Sequence, residues 1–248
     1  MKFGIIIIGD ELLSAKRRDK HFAHVIHELS ERGLELAWCR IIGDDPGLIV
    51  ETFRQTMMSD DVVFCFGGIG ATPDDHTRAC AAEAAGVVLE PHVEAIKEIE
   101  ARFGDKAYPQ RIRLAELPVG STIIPNPYNR IPGFTLNHHH FLPGFPEMAW
   151  PMVTWLLDGQ YRHLHRSHPA KERIMTVLAR EGELLPLMQT FVDRFPNCRL
   201  SSLPELNPVR PQLELGVRGE EAEVREAMEY FQGKLTEMHI EWQEKITT

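Results

Sequence analysis

The chain has 248 residues, 43% of them apolar, so it can bury a sizeable core without disulfide or metal staples. Its 36 Asp and Glu outnumber 27 Lys and Arg, and the formal charge of −9 argues against broad nucleic-acid binding or attachment to anionic membranes. Cys39, Cys65, Cys80 and Cys198 have no C-x-x-C spacing and read as buried reduced thiols. No apolar run nears the ~20 residues of a membrane helix and the N-terminus enters a strand directly, so the expectation is a cytoplasmic protein.

In chain order, Phe3 to Ile8 is a β-rich apolar run that Gly9 ends, the pattern of a buried strand. Phe22, Val25, Ile26 and Leu29 follow helical spacing up to a stop at Gly33. Leu34 to Ile42 reads as a second strand. Asp45 then offers an N-cap and Pro46 a first helical residue, ahead of Leu48, Ile49, Phe53 and Met57. Val62 to Phe66 is a third buried strand, broken by Gly67-Gly68-Ile69-Gly70, and Asp75 to Ala85 reads as helix. Pro91 opens another helix with Val93, Ile96, Ile99 and Phe103 on one face. This alternation predicts an α/β fold of three layers, a mostly parallel sheet with helices on both faces.

From residue 118 prolines recur among three short strands, Ser121 to Ile124, Gly133 to Leu136 and His140 to Leu142, before a helix from Glu147 to Leu157. Periodicity fades over 158–169, read as a linker, so the expected domains are 1–160 and 170–248. The second is a small α+β unit of order β-α-β-β-α. Its strands are Arg173 to Leu178, Cys198 to Leu203 and Gln212 to Val217, and its helices Gly182 to Phe191 and Glu220 to Met238. His138, His139 and His140 alternate in direction on a strand, so they do not make one metal site and read as a solvated hairpin. His163, His165 and His168 read as solvated linker residues.

Ligands of parallel α/β sheets sit beyond the carboxyl ends of the strands. There the sequence places Gly9-Asp10-Glu11, Gly43-Asp44-Asp45, the loop from Gly67 to Thr77, and Pro143-Gly144-Phe145-Pro146-Glu147. Gly67, Gly68 and Gly70 let backbone N–H groups approach an anion, and the helix start behind them adds partial positive charge. No Walker lysine follows. Asp10, Glu11, Asp44, Asp74 and Asp75 would repel a bound phosphate. Either a divalent cation, Mg²⁺ or Mn²⁺, bridges the two, with Asp10 and Asp75 as metal ligands and catalytic carboxylates, or carboxylates accept hydrogen bonds from the amino groups of a ring system. Gly9, Thr72, Thr77, Pro143 and Gly144 complete the candidate contacts, while Asp45 reads as a cap. Arg78 is open to two readings, phosphate ligand or helix-surface ion pair.

These loops carry a resemblance. Gly9-Asp10-Glu11-Leu12-Leu13, Gly43-Asp44-Asp45-Pro46, the run from Gly67 to Thr77, and Leu142-Pro143-Gly144-Phe145-Pro146-Glu147-Met148 resemble the competence/damage-inducible protein A (CinA) family. So do Asn126-Pro127 and Pro132-Gly133-Phe134, and the resemblance covers about residues 1–160. It implies for the first domain the fold of the molybdopterin-binding proteins of molybdenum cofactor synthesis, the MoaB/Mog type, and after 170 the small middle domain of the family. By motif, Asp10, Gly67, Gly68, Gly70, Thr72, Asp74, Asp75 and Glu147 would line the site. The chain departs from the family pattern at Ala71, where proline is common. It departs again at Ala15 to His21, where only Asp19 of an Asp-Thr-Asn motif remains, and at Tyr128 to Ile131.

The resemblance implies two activities: metal-dependent ADP-ribose pyrophosphatase activity, assigned to members of the family, and binding of molybdopterin or its adenylylated form, found in the wider fold family. The amidase domain that ends longer members is not expected within 248 residues. The expectation is metal-assisted hydrolysis of a nucleotide diphosphate sugar such as ADP-ribose. The alternatives are molybdopterin binding and a non-catalytic, regulatory nucleotide-binding protein. Partners would be a small nucleotide or pterin and, by analogy with the family, a second copy in a homodimer. Gly68→Val is expected to remove ligand binding without unfolding the protein.

Overall fold

The computed structural model describes residues 1–166, 170–205 and 210–245. The chain divides into two units, Met1–His165 and Arg166–Thr248.

In the first unit the chain runs β1 (Phe3–Ile8), α1 (Asp10–Leu13), α2 (His21–Glu31), β2 (Leu36–Ile42), α3 (Pro46–Met57), β3 (Val62–Phe66), α4 (Thr77–Ala85), β4 (Leu89–Pro91) and α5 (Val93–Phe103). It continues through two 3-10 turns to β5 (Glu116–Pro118), β6 (Thr122–Ile124), β7 (Gly133–Leu136), β8 (His139–Leu142) and α6 (Pro146–Asp158). Among the described residues six strands form the main sheet, in the order β2-β1-β3-β8-β7-β6. The first four are mutually parallel, with Ile5 opposite Cys39 and Phe64, and Cys65 opposite Phe141; β7 and β6 follow antiparallel. β4 and β5 form a separate antiparallel pair.

The three layers follow from the two-residue period of the strands. On β1, Ile6 and Ile8 join Val63, Cys65 and Phe141 in a core closed by Ile49 and Phe53 of α3, Cys80 of α4 and Ile99 of α5. Ile5 and Ile7 point to the other face, where Phe64 and Phe66 meet Val25 and Leu29 of α2 and Met152, Val153 and Leu156 of α6. The expected α/β architecture, mostly parallel with helices on both faces, is the one observed. Asp45 caps α3 as its position foretold, its side chain accepting from Leu48 N at 2.8 Å.

Two local expectations need correction. Pro91 ends β4 rather than opening a helix, and His92 caps α5 through Ala95 N instead. The histidine run is not a solvated hairpin: His139 and His140 are fully buried in β8, and only His138 is exposed. β8 lies between β3 and β7 with both faces covered, so consecutive residues are buried whichever way they point. The rings find partners on each face, with His139 Nε2 2.8 Å from Thr56 Oγ1, His140 Nδ1 2.8 Å from Thr135 Oγ1, and His140 Nε2 2.7 Å from Tyr161 OH. His163 lies in a 3-10 turn and His165 reaches the Leu157 carbonyl; His168 and the linker segment 167–169 lie outside the described residues.

The second unit contains β9 (Lys171–Val177), α7 (Glu181–Arg194), β10 (Arg199–Glu205), β11 (Gln212–Gly219), α8 (Glu221–Glu237) and β12 (Trp242–Lys245). Its antiparallel sheet has the order β10-β11-β9-β12, so among the described residues the unit is β-α-β-β-α-β, a split βαβ arrangement with one strand more than expected. Leu184 and Phe191 of α7 and Val224, Met228 and Phe231 of α8 pack on Met175, Leu213, Leu215 and Val217. Cys65, Cys80 and Cys198 are buried, Cys39 is half-buried, and all four are free thiols. No helix among the described residues is long and apolar enough to cross a membrane.

Candidate functional site

The carboxyl ends of β2, β1, β3 and β8 share one edge of the first sheet. Strand order turns back between β1 and β3, because β2 lies on one side of β1 and β3 on the other. A doubly wound sheet opens its crevice at such a point. The loops there are closed by backbone bonds, Gly9 N to Ile42 O and Gly67 N to Leu142 O, each at 3.0 Å.

The glycine loop after β3 is the tightest part. Gly67 has φ +105° and Gly68 φ +66°, backbone that side chains rarely adopt. A Cβ at Gly67 would stand 2.4 Å from the Ile8 carbonyl, and one at Gly68 2.3 Å from Thr77 Oγ1. Thr77, fully buried at the start of α4, explains the second contact: its hydroxyl donates to Gly67 O at 2.9 Å and its N–H to Gly68 O at 3.0 Å. Thr77 therefore clamps the loop from behind. Among the described residues Arg78 forms no ion pair. Its guanidinium donates to three carbonyls, Gly70 O at 2.7 Å, Glu116 O at 3.0 Å and Arg113 O, and burial lowers its pKa. It props the far side of the same loop.

The carboxylates also serve as local ties. Asp44 N donates to Asp10 Oδ1 at 3.1 Å and Asp10 N to Asp44 Oδ2 at 2.9 Å. Burial first, and then the negative charges of Asp10, Glu11 and Asp74, hold the Asp44 carboxyl above its ordinary value, against the opposing Asp10 N–H. Asp75 Oδ2 accepts from Thr72 N at 2.9 Å and from the Thr72 hydroxyl. Among the described residues no three His, Cys, Asp or Glu side chains are grouped to hold a metal ion. One oxygen of each of Asp10, Asp44 and Asp75 accepts a backbone N–H, which fixes the three carboxylates at the loop ends.

A cavity of about 550 Å³ opens over the loop. It brings together Gly9, Glu11, Asp44, Gly67, Gly68, Gly70, Thr72, Asp74, Asp75, Pro143 and Gly144, and leaves out three of the expected residues. Asp10 and Thr77 stand among its supports, and Glu147 lines an adjoining cavity of about 360 Å³. Sequence reasoning missed Asn126 and Asn129 on the main cavity wall. Asn126 donates to Ile131 O and accepts from Tyr128 N, while Asn129 accepts from Ile131 N, which fixes that turn. It also missed Arg17, which lines both cavities, and His21 in the adjoining one. His21 stacks on Phe66 at 4.2 Å and its Nε2 lies 3.1 Å from Gly144 O; burial lowers its pKa. The signal for this segment was the cationic run Lys16-Arg17-Arg18, read only as a departure from the family pattern.

Fold and crevice together define a doubly wound domain with a glycine loop at the point where its strand order reverses. The chain belongs to the family described as probable molybdopterin binding domain, which matches residues 4–163. The chain is also similar to CinA-like proteins. A CinA-like protein of Geotalea uraniireducens is 31% identical over 242 residues, covering 92% of this chain and 56% of that one, so the chain spans little more than half of that relative. A protein of Pyrobaculum calidifontis is 29% identical over 213 residues, covering 81% and 80%. Among solved structures, CinA of Thermoplasma acidophilum, described as of unknown function, superposes with a TM-score of 0.58 at 26% identity, covering 64% of this chain and 98% of that one.

Proposed function

We propose that the first unit binds a phosphate-bearing pterin, molybdopterin or its nucleotide form, with the phosphate on the loop from Gly67 to Gly70. The observation that carries this reading is the pair Gly67 and Gly68 at positive φ, clamped by Thr77 at the start of α4 beneath a cavity of about 550 Å³. Membership of the molybdopterin-binding-domain family supports the pterin. The test is to extract the purified protein for pterin fluorescence and to titrate the stripped protein with a pterin phosphate. Saturable binding is expected, and a protein that neither carries nor binds a pterin ends the reading.

The crowding at Asp44 favours a second reading. A divalent cation arriving with a diphosphate would relieve the repulsion among Asp44, Asp10, Glu11 and Asp74. The reaction is then hydrolysis of a nucleotide diphosphate sugar such as ADP-ribose, entering as its Mg²⁺ or Mn²⁺ complex, with Asp10 and Asp75 as the carboxylates that orient water. Water adds across the pyrophosphate and releases AMP and ribose 5-phosphate. AMP release that requires metal supports this reading, whereas nucleotide binding without turnover assigns the chain to regulatory binding. A homodimer belongs to the same proposal, and light scattering that gives only the monomer mass removes it.

A further inference from the structure

The adjoining cavity is unused by the phosphate site, yet it shares Arg17, Glu11, Gly144 and Phe145 with the main one. Its lining is half apolar, including Phe66 with the His21 ring stacked against it. Its charged lining is balanced: Arg17, Arg18 and Lys20 against Glu11, Asp19 and Glu147. Asp19 is committed, because its two oxygens accept from His21 N and Phe22 N at 2.9 Å each and so cap α2. Among the described residues Glu147, Arg17, Arg18 and Lys20 form no ion pair. Phe145 is 55% exposed and has no ring partner among the described residues.

An open aromatic face, an uncommitted carboxylate and free cations suit one chemistry. A flat heteroaromatic ring stacks on the aromatic face, its N–H edge donates to the carboxylate, and its phosphate tail meets the cations. A second, purely anionic site does not fit, because Glu11 and Glu147 would repel it. We propose that the adjoining cavity is the ring subsite for the ligand whose phosphate rests on the glycine loop: ring on Phe145, ring N–H groups to Glu147, and Arg17 holding the phosphate that links the two cavities. The inference rests on the phosphate-binding reading of the main cavity.

Two probes separate the two ideas. Calorimetry compares inorganic pyrophosphate, which has no ring, with 6-hydroxymethylpterin diphosphate in the wild type, Phe145→Ala and Glu147→Gln. Both side chains are exposed, so both variants keep the fold. The expected result is that each substitution weakens the pterin diphosphate by about tenfold and leaves pyrophosphate unchanged. Wild-type protein that binds the pterin diphosphate no tighter than pyrophosphate overturns the ring subsite alone. Variants that bind the pterin diphosphate as the wild type does also overturn it. Wild-type protein that binds neither probe overturns the phosphate site and the ring subsite together.

Discussion

Asp10 and Asp44 hold each other in place, the N–H of each donating to the carboxylate of the other at 2.9 and 3.1 Å across the ends of β1 and β2. The tie puts like charges together, and burial with those charges raises the Asp44 pKa above its ordinary value. In the window between the ordinary and the raised value, the folded state binds more protons than the unfolded chain, so stability falls as pH rises through it. Asp44→Asn keeps an acceptor for Asp10 N and removes the charge. It should therefore raise stability at pH 7, by under about 1 kcal/mol after solvent screening, with the gain gone below about pH 4. Urea denaturation at the two pH values checks this; a loss at pH 7 would show that the charge is needed.

His139 and His140 carry the opposite linkage. Burial foremost, with neighbouring histidines adding, pushes their pKa values down to about 4 and about 3. Between those values and about 6.5 the unfolded chain binds more protons, so stability is full above about pH 6.5 and drains as pH falls, by up to about 1.4 kcal/mol per pH unit for each histidine. Denaturant midpoints at pH 7, 5.5 and 4.5 should decline in that order. A flat profile would mean that the rings are protonated or exposed in the native state.

Gly68→Val cannot act on binding alone. At φ +66°, with its Cβ 2.3 Å from Thr77 Oγ1, the valine breaks the clamp as well as closing the cavity. A stability loss of roughly 1–3 kcal/mol should accompany the loss of ligand. A variant as stable as the wild type would show that the loop relaxes freely.

The hydrolytic reading makes a sharp demand of Asp75. Asp75→Asn retains an acceptor for Thr72 N, so stability should change by under about 1 kcal/mol. Metal-dependent ADP-ribose turnover should fall by roughly 100-fold or more if the carboxylate acts at the reacting centre. Normal turnover in the variant would make Asp75 only the acceptor that pins Thr72.

The parts of the structure that were legible in advance are those governed by local chemistry. Phe3–Ile8 and Val62–Phe66 are unbroken apolar runs, and their bounds match the strands observed. Asp45-Pro46 caps a helix wherever it falls before one, and Gly67-Gly68 announces backbone that side chains rarely tolerate. The rest depends on neighbours distant in sequence. Nothing near Arg78 foretells that it will meet the carbonyls of Gly70, Arg113 and Glu116. The histidine run looked polar because its burial depends on β3, β7 and Tyr161. β12 was missed because Trp242-Gln243-Glu244-Lys245 has strand character only once β9 offers an edge to it. The second cavity was invisible because Arg17 and Phe145 are far apart in the chain and meet only across the sheet edge.

Gly144 gives the most direct test of a ligand in this cleft. It lines both cavities, its φ is unstrained for other residues, and a Cβ there would make only an ordinary contact with Gly67 Cα at 3.4 Å. Gly144→Val should therefore fill the passage at little cost to stability. The measurement is calorimetric titration of wild type and Gly144→Val with 6-hydroxymethylpterin diphosphate, alongside their melting temperatures. The account predicts saturable one-to-one binding by the wild type and at least about a tenfold loss in a variant that melts with it. Equal binding by the two proteins, or none by the wild type, would contradict it.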